Sequence, residues 1–380
     1  MSQTISPEST SNTTRVHDPQ CGSKVELEAL LTSGGTAPLT STGWIKVTGP
    51  DRVRWLNGMV TNSVGDLASG QGCYNFLLNA QGRIQGDGYV FAQTDHLLFE
   101  TGRSQLAHLV SLLDRFIIMD DVELEDITPS RAGLLLAGPH APEILRRLHL
   151  EAAPSSTSAF TRLDWRSAPV VVLRAYGPLI PRFELWSEAA TIAELAAEIA
   201  GMDVTQCTPA TLETLRVLEG TPLFGVDIRD RDLPQETGAV RALHFSKGCY
   251  LGQEIVERIH SRGSVHRTFA GFYLAGEDAS GGLALSVDEK AVGELTSVVN
   301  IPFSTGDAQP QTGSQTGSQT GSQSRLQAGT RIGLGYIRRE ALAGNKPIHY
   351  RGGIAHPTSL PFDLAKIHSE HQLPRFTPDT

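Results

Sequence analysis

The sequence predicts an α+β protein: two units with antiparallel sheets, then a small C-terminal β-barrel. Three observations carry this. Strand-like and helix-like runs alternate through the first 220 or so residues, as layered α+β domains require. Turn chemistry joins neighbouring strands into hairpins. From about Thr268 onward only short strands and turns follow. At 380 residues the chain also exceeds what a single core of ~250–300 residues accommodates.

The elements follow in order. Trp44-Ile45-Lys46-Val47-Thr48 reads as a strand entering the turn Gly49-Pro50-Asp51. Val53, Leu56, Met59 and Val60 have helical spacing. Gly72 to Leu78 and Asp87 to Gln93 read as strands joined by Asn79-Ala80-Gln81-Gly82-Arg83. Ser104 to Phe116 carries a leucine stripe and reads as an amphipathic helix; Val122 to Ile127 alternates apolar with acidic, as a half-buried strand does. The second unit opens at Gly133 with Leu134 to Leu136 as a strand. Pro142 suits a helix's first turn, Val170 to Leu173 a strand, and Ala189 to Ala200 a helix. Thr208-Pro209 caps and opens another helix. Phe269 to Leu274, Gly293 to Asn300, Arg331 to Ile337 and Lys346 to Tyr350 supply the barrel.

The division that results is a disordered tail over 1–38, a first α+β unit over 39–130, and a second over 131–205. A connecting segment spans 206–264, and the barrel 265–355. A Thr-Gly-Ser-Gln repeat lies within a flexible insertion at about 304–326, and 361–380 form a loose tail. The repeat has nothing apolar to bury, and lengthening a surface loop costs only about 0.6 kcal/mol per doubling.

Composition excludes several classes. No apolar run approaches the ~18 residues a membrane span needs. The Ser/Thr-rich start, Met1 to Lys24, lacks the apolar core of a secretory signal. Four cysteines (Cys21, Cys73, Cys207, Cys249) lie too far apart in sequence for a C-x-x-C site. A disulfide framework is not expected, which favours a cytoplasmic setting. A net charge of −9 argues against direct nucleic-acid binding.

The chemistry concentrates in Lys247-Gly248-Cys249-Tyr250-Leu251-Gly252-Gln253-Glu254. A cysteine between glycines, beside a lysine and just before a helical run from Gln253 to Ile259, is placed where a cation and a helix N-terminus stabilise a thiolate. Between Arg241 and Arg267, Arg241, Lys247, Arg258, Arg262 and Arg267 outnumber Glu254 and Glu257, with His244, His260 and His266 nearby. This reads as a locally positive pocket holding a thiol. Three roles stay open for Cys249: a nucleophile activated by Lys247, a ligand to a transient cluster completed by a partner, or packing. Tyr250 reads as a packing residue of its loop.

That run resembles the signature of YgfZ-type folate-binding proteins, relatives of the glycine-cleavage T-protein. Gly49, Asp51, Leu56 and Thr61-Asn62, then Asn79, Gly82 and Arg83, resemble further family landmarks. So do Arg216, Glu219-Gly220, Pro222, Gly225, Asp227, Leu233 to Glu236, and Gly333 to Arg339. The opening motif departs from the family's Thr-x-Asp as Thr61-Asn62-Ser63, and the helix near Leu212 carries no tryptophan. The resemblance implies a T-protein-like ring of three domains, the first two interleaved, around a tetrahydrofolate site. It implies Asp227 and Asp87 as pterin-pairing carboxylates, Arg83 for the glutamate tail, and Asn79 and Trp44 as further folate contacts. It also implies an accessory role in assembly or repair of iron–sulfur enzymes, indirectly supporting tRNA thiomethylation. Folate and iron–sulfur or cluster-carrier proteins are then the partners, with no stable metal. A folate-dependent aminomethyltransferase or other one-carbon transferase is the alternative, a non-catalytic scaffold the second. Whether any step is catalysed stays open.

Overall fold

Strand alternation places the first core. Ile45 and Val47 point to one side of the strand Thr42–Thr48, Trp44 to the other. The computed structural model describes residues 22–263, 265–276, 284–302, 330–344 and 346–364. Its first sheet is antiparallel, in the order Gly72–Leu78, Ile84–Ala92, Leu97–Gly102, Thr42–Thr48, Glu123–Asp126. Helices Arg52–Met59 and Leu106–Asp114 cover one face, burying Leu56, Leu109 and Leu113 against Ile45, Val90 and Phe99.

The second sheet runs Thr205–Gln206, Gly35–Pro38, Ala132–Ala137, Arg182–Ser187, Ala168–Ala175, Phe160–Trp165. Helices Ala141–Arg147 and Ala189–Ala200 close its outer face with Ile144, Leu195 and Ile199. This corrects the tail expected over 1–38. Ser23 caps a helix over Lys24–Thr32, Leu27 and Leu30 of which are buried, and Gly35–Pro38 is an inner strand of the second unit. Glu26 on that helix accepts from the backbone N–H and hydroxyl of Thr208 at 2.7 and 2.8 Å and from Thr211 at 2.6 Å, clasping the helix Pro209–Glu219. Cys21 and residues 1–20 lie outside the described residues.

Six strands close the barrel in the order Arg267–Gly276, Arg331–Arg338, Lys290–Asn300, Ala284–Val287, Ile348–Tyr350, Gly353–Thr358. The repeat insertion falls outside the described residues. The loose tail expected over 361–380 is corrected at its start: Phe362 is buried and its N–H donates to the Leu218 carbonyl at 2.9 Å. Residues 365–380 lie outside the described residues.

Four contacts close the molecule on itself. Aromatic packing joins the two sheets, through Trp44, Phe91 and Phe160 with Leu173 and Trp186. Ile180 of the second unit, with Leu215 and Leu218 of the helix Pro209–Glu219 that follows it, buries against Phe269, Leu334 and Tyr336 of the barrel. Arg267 of the barrel pairs with Asp232 and Glu236 of the connecting segment at 2.5 and 3.0 Å. That segment returns to the first sheet, where Ala239, Ala242, Tyr250 and Val256 bury Tyr74, Phe76 and Leu78. First sheet, second sheet, barrel and connecting segment thus form a ring.

Candidate functional site

The signature loop is built on a hairpin. Asn79 accepts from the backbone N–H groups of Gln81 and Arg83 through its side chain, both at 3.0 Å, fixing the turn. Gly252 opens the helix Gln253–Arg262 at φ +81, where a Cβ would lie 2.6 Å from the Asn79 carbonyl oxygen. Only glycine fits that conformation and that approach. The Arg83 guanidinium donates to the Arg231 carbonyl. Asn79 therefore fixes the turn, and Arg83 ties the hairpin to the connecting segment. Gln253 accepts from the Tyr250 N–H at 3.3 Å, Tyr250 is buried, and Glu254 is exposed in the helix's first turn, where its charge suits the dipole.

Lys247 does not serve Cys249. Its ammonium donates to the carbonyls of Asn57, Val60 and Asn62 at 2.6, 2.7 and 2.5 Å, which uses all three of its protons. Burial depresses its pKa to about 8. The expected activation of the thiol by this lysine is thus corrected: the lysine ties the loop to the first unit. Gly248 and Cys249 are exposed beyond it. The positive pocket is dispersed as well, with Arg267 paired to carboxylates, His260 stacked on Phe245 at 3.8 Å, and Arg241 turned inward.

Arg241 leads to a recess between the sheets. Tyr74, Tyr89, Glu100 and Trp44 are cross-strand neighbours and share one face of the first sheet; Asp87 pairs with Phe76 beside them. Glu184 and Trp186 face them from the second sheet, since Phe183 and Leu185 turn to that unit's own core. The Arg241 guanidinium lies 3.9 Å from the Tyr176 ring centre and 4.6 Å from that of Tyr74. Asn62 donates to the Arg241 carbonyl at 2.8 Å and holds its backbone. Asp87, Tyr89, Glu100, Glu184, Arg131 and Arg241 keep some exposed surface although desolvation dominates their titration. Side chains that are deep yet wetted line a recess.

Its electrostatics favour proton retention. Burial raises the Asp87 carboxyl, which accepts from the Tyr74 hydroxyl at 2.5 Å and the Gln105 amide at 2.7 Å. Burial also raises Glu100 and Glu184, which lie within hydrogen-bonding reach of each other, and the neighbouring Glu184 charge raises Glu100 further.

Asp87 and Trp44, two of the folate contacts that the resemblance implies, both stand at this recess. Trp44 is almost fully buried, its indole N–H without a partner among the described residues. Asp227 is corrected. Its carboxylate accepts from Arg216 at 2.6 Å, the Leu223 N–H at 2.9 Å, Ser297 at 2.7 Å and the Thr296 hydroxyl, so it latches the helix Pro209–Glu219 to the barrel. Sequence reasoning missed Tyr74, Tyr89, Glu100, Arg131, Tyr176 and Glu184. One signal was available: in Arg182-Phe183-Glu184-Leu185-Trp186 the period of two puts a glutamate beside a tryptophan on one face. No group of three or more His, Cys, Asp or Glu side chains placed to hold a metal occurs among the described residues, and none of their helices is long and apolar enough to cross a membrane.

The fold is that of the glycine cleavage system aminomethyltransferase T from Bartonella henselae, with a TM-score of 0.73 and 19% identity over 90% of this chain and 89% of that one. A putative chloroplastic transferase of Arabidopsis thaliana is 24% identical over 263 residues, 68% of this chain and 60% of the relative. The tRNA-modifying protein YgfZ of Hamiltonella defensa is 29% identical over 228 residues, 59% of this chain and 66% of the relative. The match therefore spans somewhat under two thirds of these two relatives' own lengths. The family profile described as the GCVT N-terminal domain matches residues 17–247, more than half of the chain. The chain belongs to the GCVT N-terminal domain family, and within it is a YgfZ-type, T-protein-like member.

Proposed function

We propose that the chain binds a reduced folate in the recess and acts as an accessory factor for assembly or repair of iron–sulfur enzymes, indirectly supporting tRNA thiomethylation. The observation that carries the folate reading is the recess wall. A pteridine is flat, has a polar edge, and continues into an anionic glutamate tail. The wall offers ring faces in Tyr74, Tyr89 and Tyr176, carboxyl groups in Asp87 and Glu184, and a cation in Arg241 whose Nε has no partner among the described residues. These groups fit a folate by shape and charge. A bound tetrahydrofolate would supply a nitrogen able to carry a one-carbon unit. Asp87 is set to hold a proton at its carboxyl, Tyr74 and Gln105 orient that carboxyl, and the facing sheets exclude water.

The name of the Hamiltonella relative, a tRNA-modifying protein, supports the cellular role. Cys249, exposed on its lysine-anchored loop, is suited to a partner protein, as one ligand of a cluster that the partner completes. The test pairs folic-acid titration with complementation of cells lacking their YgfZ-type factor, scored by cluster-dependent tRNA thiomethylation. Asp87→Asn is expected to weaken folate binding about tenfold or more and to lower rescue. Cys249→Ala is expected to keep folate binding and lose rescue. Equal rescue by wild type and a folded Cys249→Ala would remove that thiol from the function.

Asp87 also favours a second reading, a folate-dependent aminomethyltransferase, because a carboxyl raised by burial is suited to proton transfer. Folate-dependent turnover of an aminomethyl donor, abolished by Asp87→Asn, would establish it.

A further inference from the structure

The strand Glu123–Asp126 is the outer edge of the first sheet and is paired on one side, with Thr42–Thr48. The Ile127 N–H donates to the Trp44 carbonyl. Alternation along an antiparallel ladder then turns the N–H and C=O groups of Leu124 and Asp126 away from the sheet. None of these groups has a backbone partner among the described residues. They form an open template for one more strand.

The segment leading into this edge is apolar and faces outward. Ile118 is 82% exposed and Met119 93%, and Phe116 is exposed as well. Their backbone is nonetheless tied down. The Phe116 carbonyl accepts from the Trp55 indole N–H at 3.1 Å, the Ile117 N–H donates to the Asp114 carbonyl at 3.1 Å, and the Asp121 N–H donates to the Asp51 carboxylate at 2.9 Å. The helix Arg52–Met59 and its leading residue therefore hold the backbone while the side chains stay in water. Single apolar residues on a surface are ordinary, but a fixed cluster beside an open edge marks an interaction surface.

Charge decides what fits there. Asp120, Asp121, Glu123, Glu125 and Asp126 follow one another with no cation among them. Arg54 is already paired with Asp51 and Asp120 at 3.1 and 2.5 Å, Lys46 is the cross-strand neighbour of Glu125, and Arg115 precedes Phe116. The acids outnumber these cations, so the edge is negative. A second copy paired edge to edge would set carboxylates against their own kind, and nucleic acid would be repelled. The longer segments of this chain outside the described residues carry no excess of base: Arg15 against Glu8 and Asp18, Arg325 against Asp307, Lys366 and Arg375 against Glu370 and Asp379. Charge by itself protects an edge from self-pairing; the exposed Ile118 and Met119 are what such protection would leave out.

We propose that this edge is a docking site for an extended basic segment of a partner protein. The segment adds a strand beside Glu123–Asp126, sets lysine or arginine against Glu123 and Glu125, and covers Ile118 and Met119. Strand addition takes affinity from main-chain bonds and specificity from alternate side chains. The inference does not depend on the folate or cluster readings.

The probe is a fluorescein-labelled heptapeptide of alternating lysine and valine, titrated with the full chain by fluorescence anisotropy. In an antiparallel addition, lysines facing Glu123 and Glu125 leave the valines opposite Leu124 and Asp126, where their N–H groups reach the edge. A control peptide with proline for every valine keeps the charge and loses those donors. The valine peptide is expected to bind about tenfold or more tighter than the control. Asp126→Pro, which removes an outward donor of the edge, is expected to weaken the valine peptide about tenfold. Glu123→Gln with Glu125→Gln should weaken it about as much and flatten its salt dependence. Ile118→Ser with Met119→Ser should weaken it about threefold or more. Thermal melts establish that each variant is folded; if Asp126→Pro is not, the two peptides and the glutamine pair decide. Equal binding of the two peptides would reduce the effect to the general attraction of an acidic chain and overturn the proposal. So would no binding, or unchanged affinity in the folded variants. A dimer seen by light scattering and lost in Asp126→Pro would assign the edge to a second copy instead.

Discussion

Lys247 is a charged side chain used as a structural pin. Its three carbonyl partners, Asn57, Val60 and Asn62, run from the last turn of the helix Arg52–Met59 into the segment that follows it. Lys247→Met should leave them unsatisfied and cost about 2–4 kcal/mol, read from urea denaturation. The pH dependence has a definite sign. The native pKa of about 8 lies below the ordinary 10.5, so between those values the unfolded chain binds more protons than the native one. Wild-type stability relative to Lys247→Met should rise with pH across that window and be flat below it. Denaturation midpoints at pH 7.5 and 9.5 decide this, and a falling difference would contradict the buried placement.

At the scale of elements, the closest joint is between the hairpin turn and the start of the signature helix. Gly252→Ala combines an unfavourable φ with a collision against the Asn79 carbonyl, and should cost about 1–3 kcal/mol. Thermal unfolding measures it, and a loss below 0.5 kcal/mol (roughly the range of a neutral surface change) would show that the turn yields. Elements with strong local signals were legible: the helix Ala189–Ala200, the helix that Pro209 opens and the Gly72–Ala92 hairpin stand where their residues put them, although the Thr208 hydroxyl donates to Glu26 and makes no cap bond. The helix Lys24–Thr32 was hidden because a Ser/Thr-rich run precedes it and only Leu27 and Leu30 are buried. The strand Arg182–Ser187 gains its inner position from a partner far back along the chain, Ala132–Ala137, and such pairing has no local mark.

The same distinction governs the whole molecule. The signature loop is contiguous, so its residues were visible together; the recess gathers Trp44, Asp87, Glu100, Arg131, Glu184 and Arg241 only when the ring closes. Asp227 was read as a ligand because its chemistry suits a pterin; its real partners lie on the barrel. That latch should be worth breaking. Arg216→Met strands a buried carboxylate and should cost about 3–5 kcal/mol, whereas Arg216→Met with Asp227→Leu should recover part of it. Urea melts of both variants test this, and an equal or larger loss in the double variant would show that the latch contributes more than mutual neutralisation.

The three described cysteines differ in a way that has practical use. Desolvation pushes the thiols of Cys73 and Cys207 up to about 11 and about 12, whereas Cys249 stands exposed on its pinned loop. In a Cys21→Ser background, a maleimide dye at neutral pH should therefore couple once per chain, at Cys249, with intact-mass spectrometry counting the adducts. Because Lys247 anchors the loop while the thiol stays outside, the dye would ride on a rigid mount. Its polarisation would then register a docking protein directly, turning an unknown client into an optical signal.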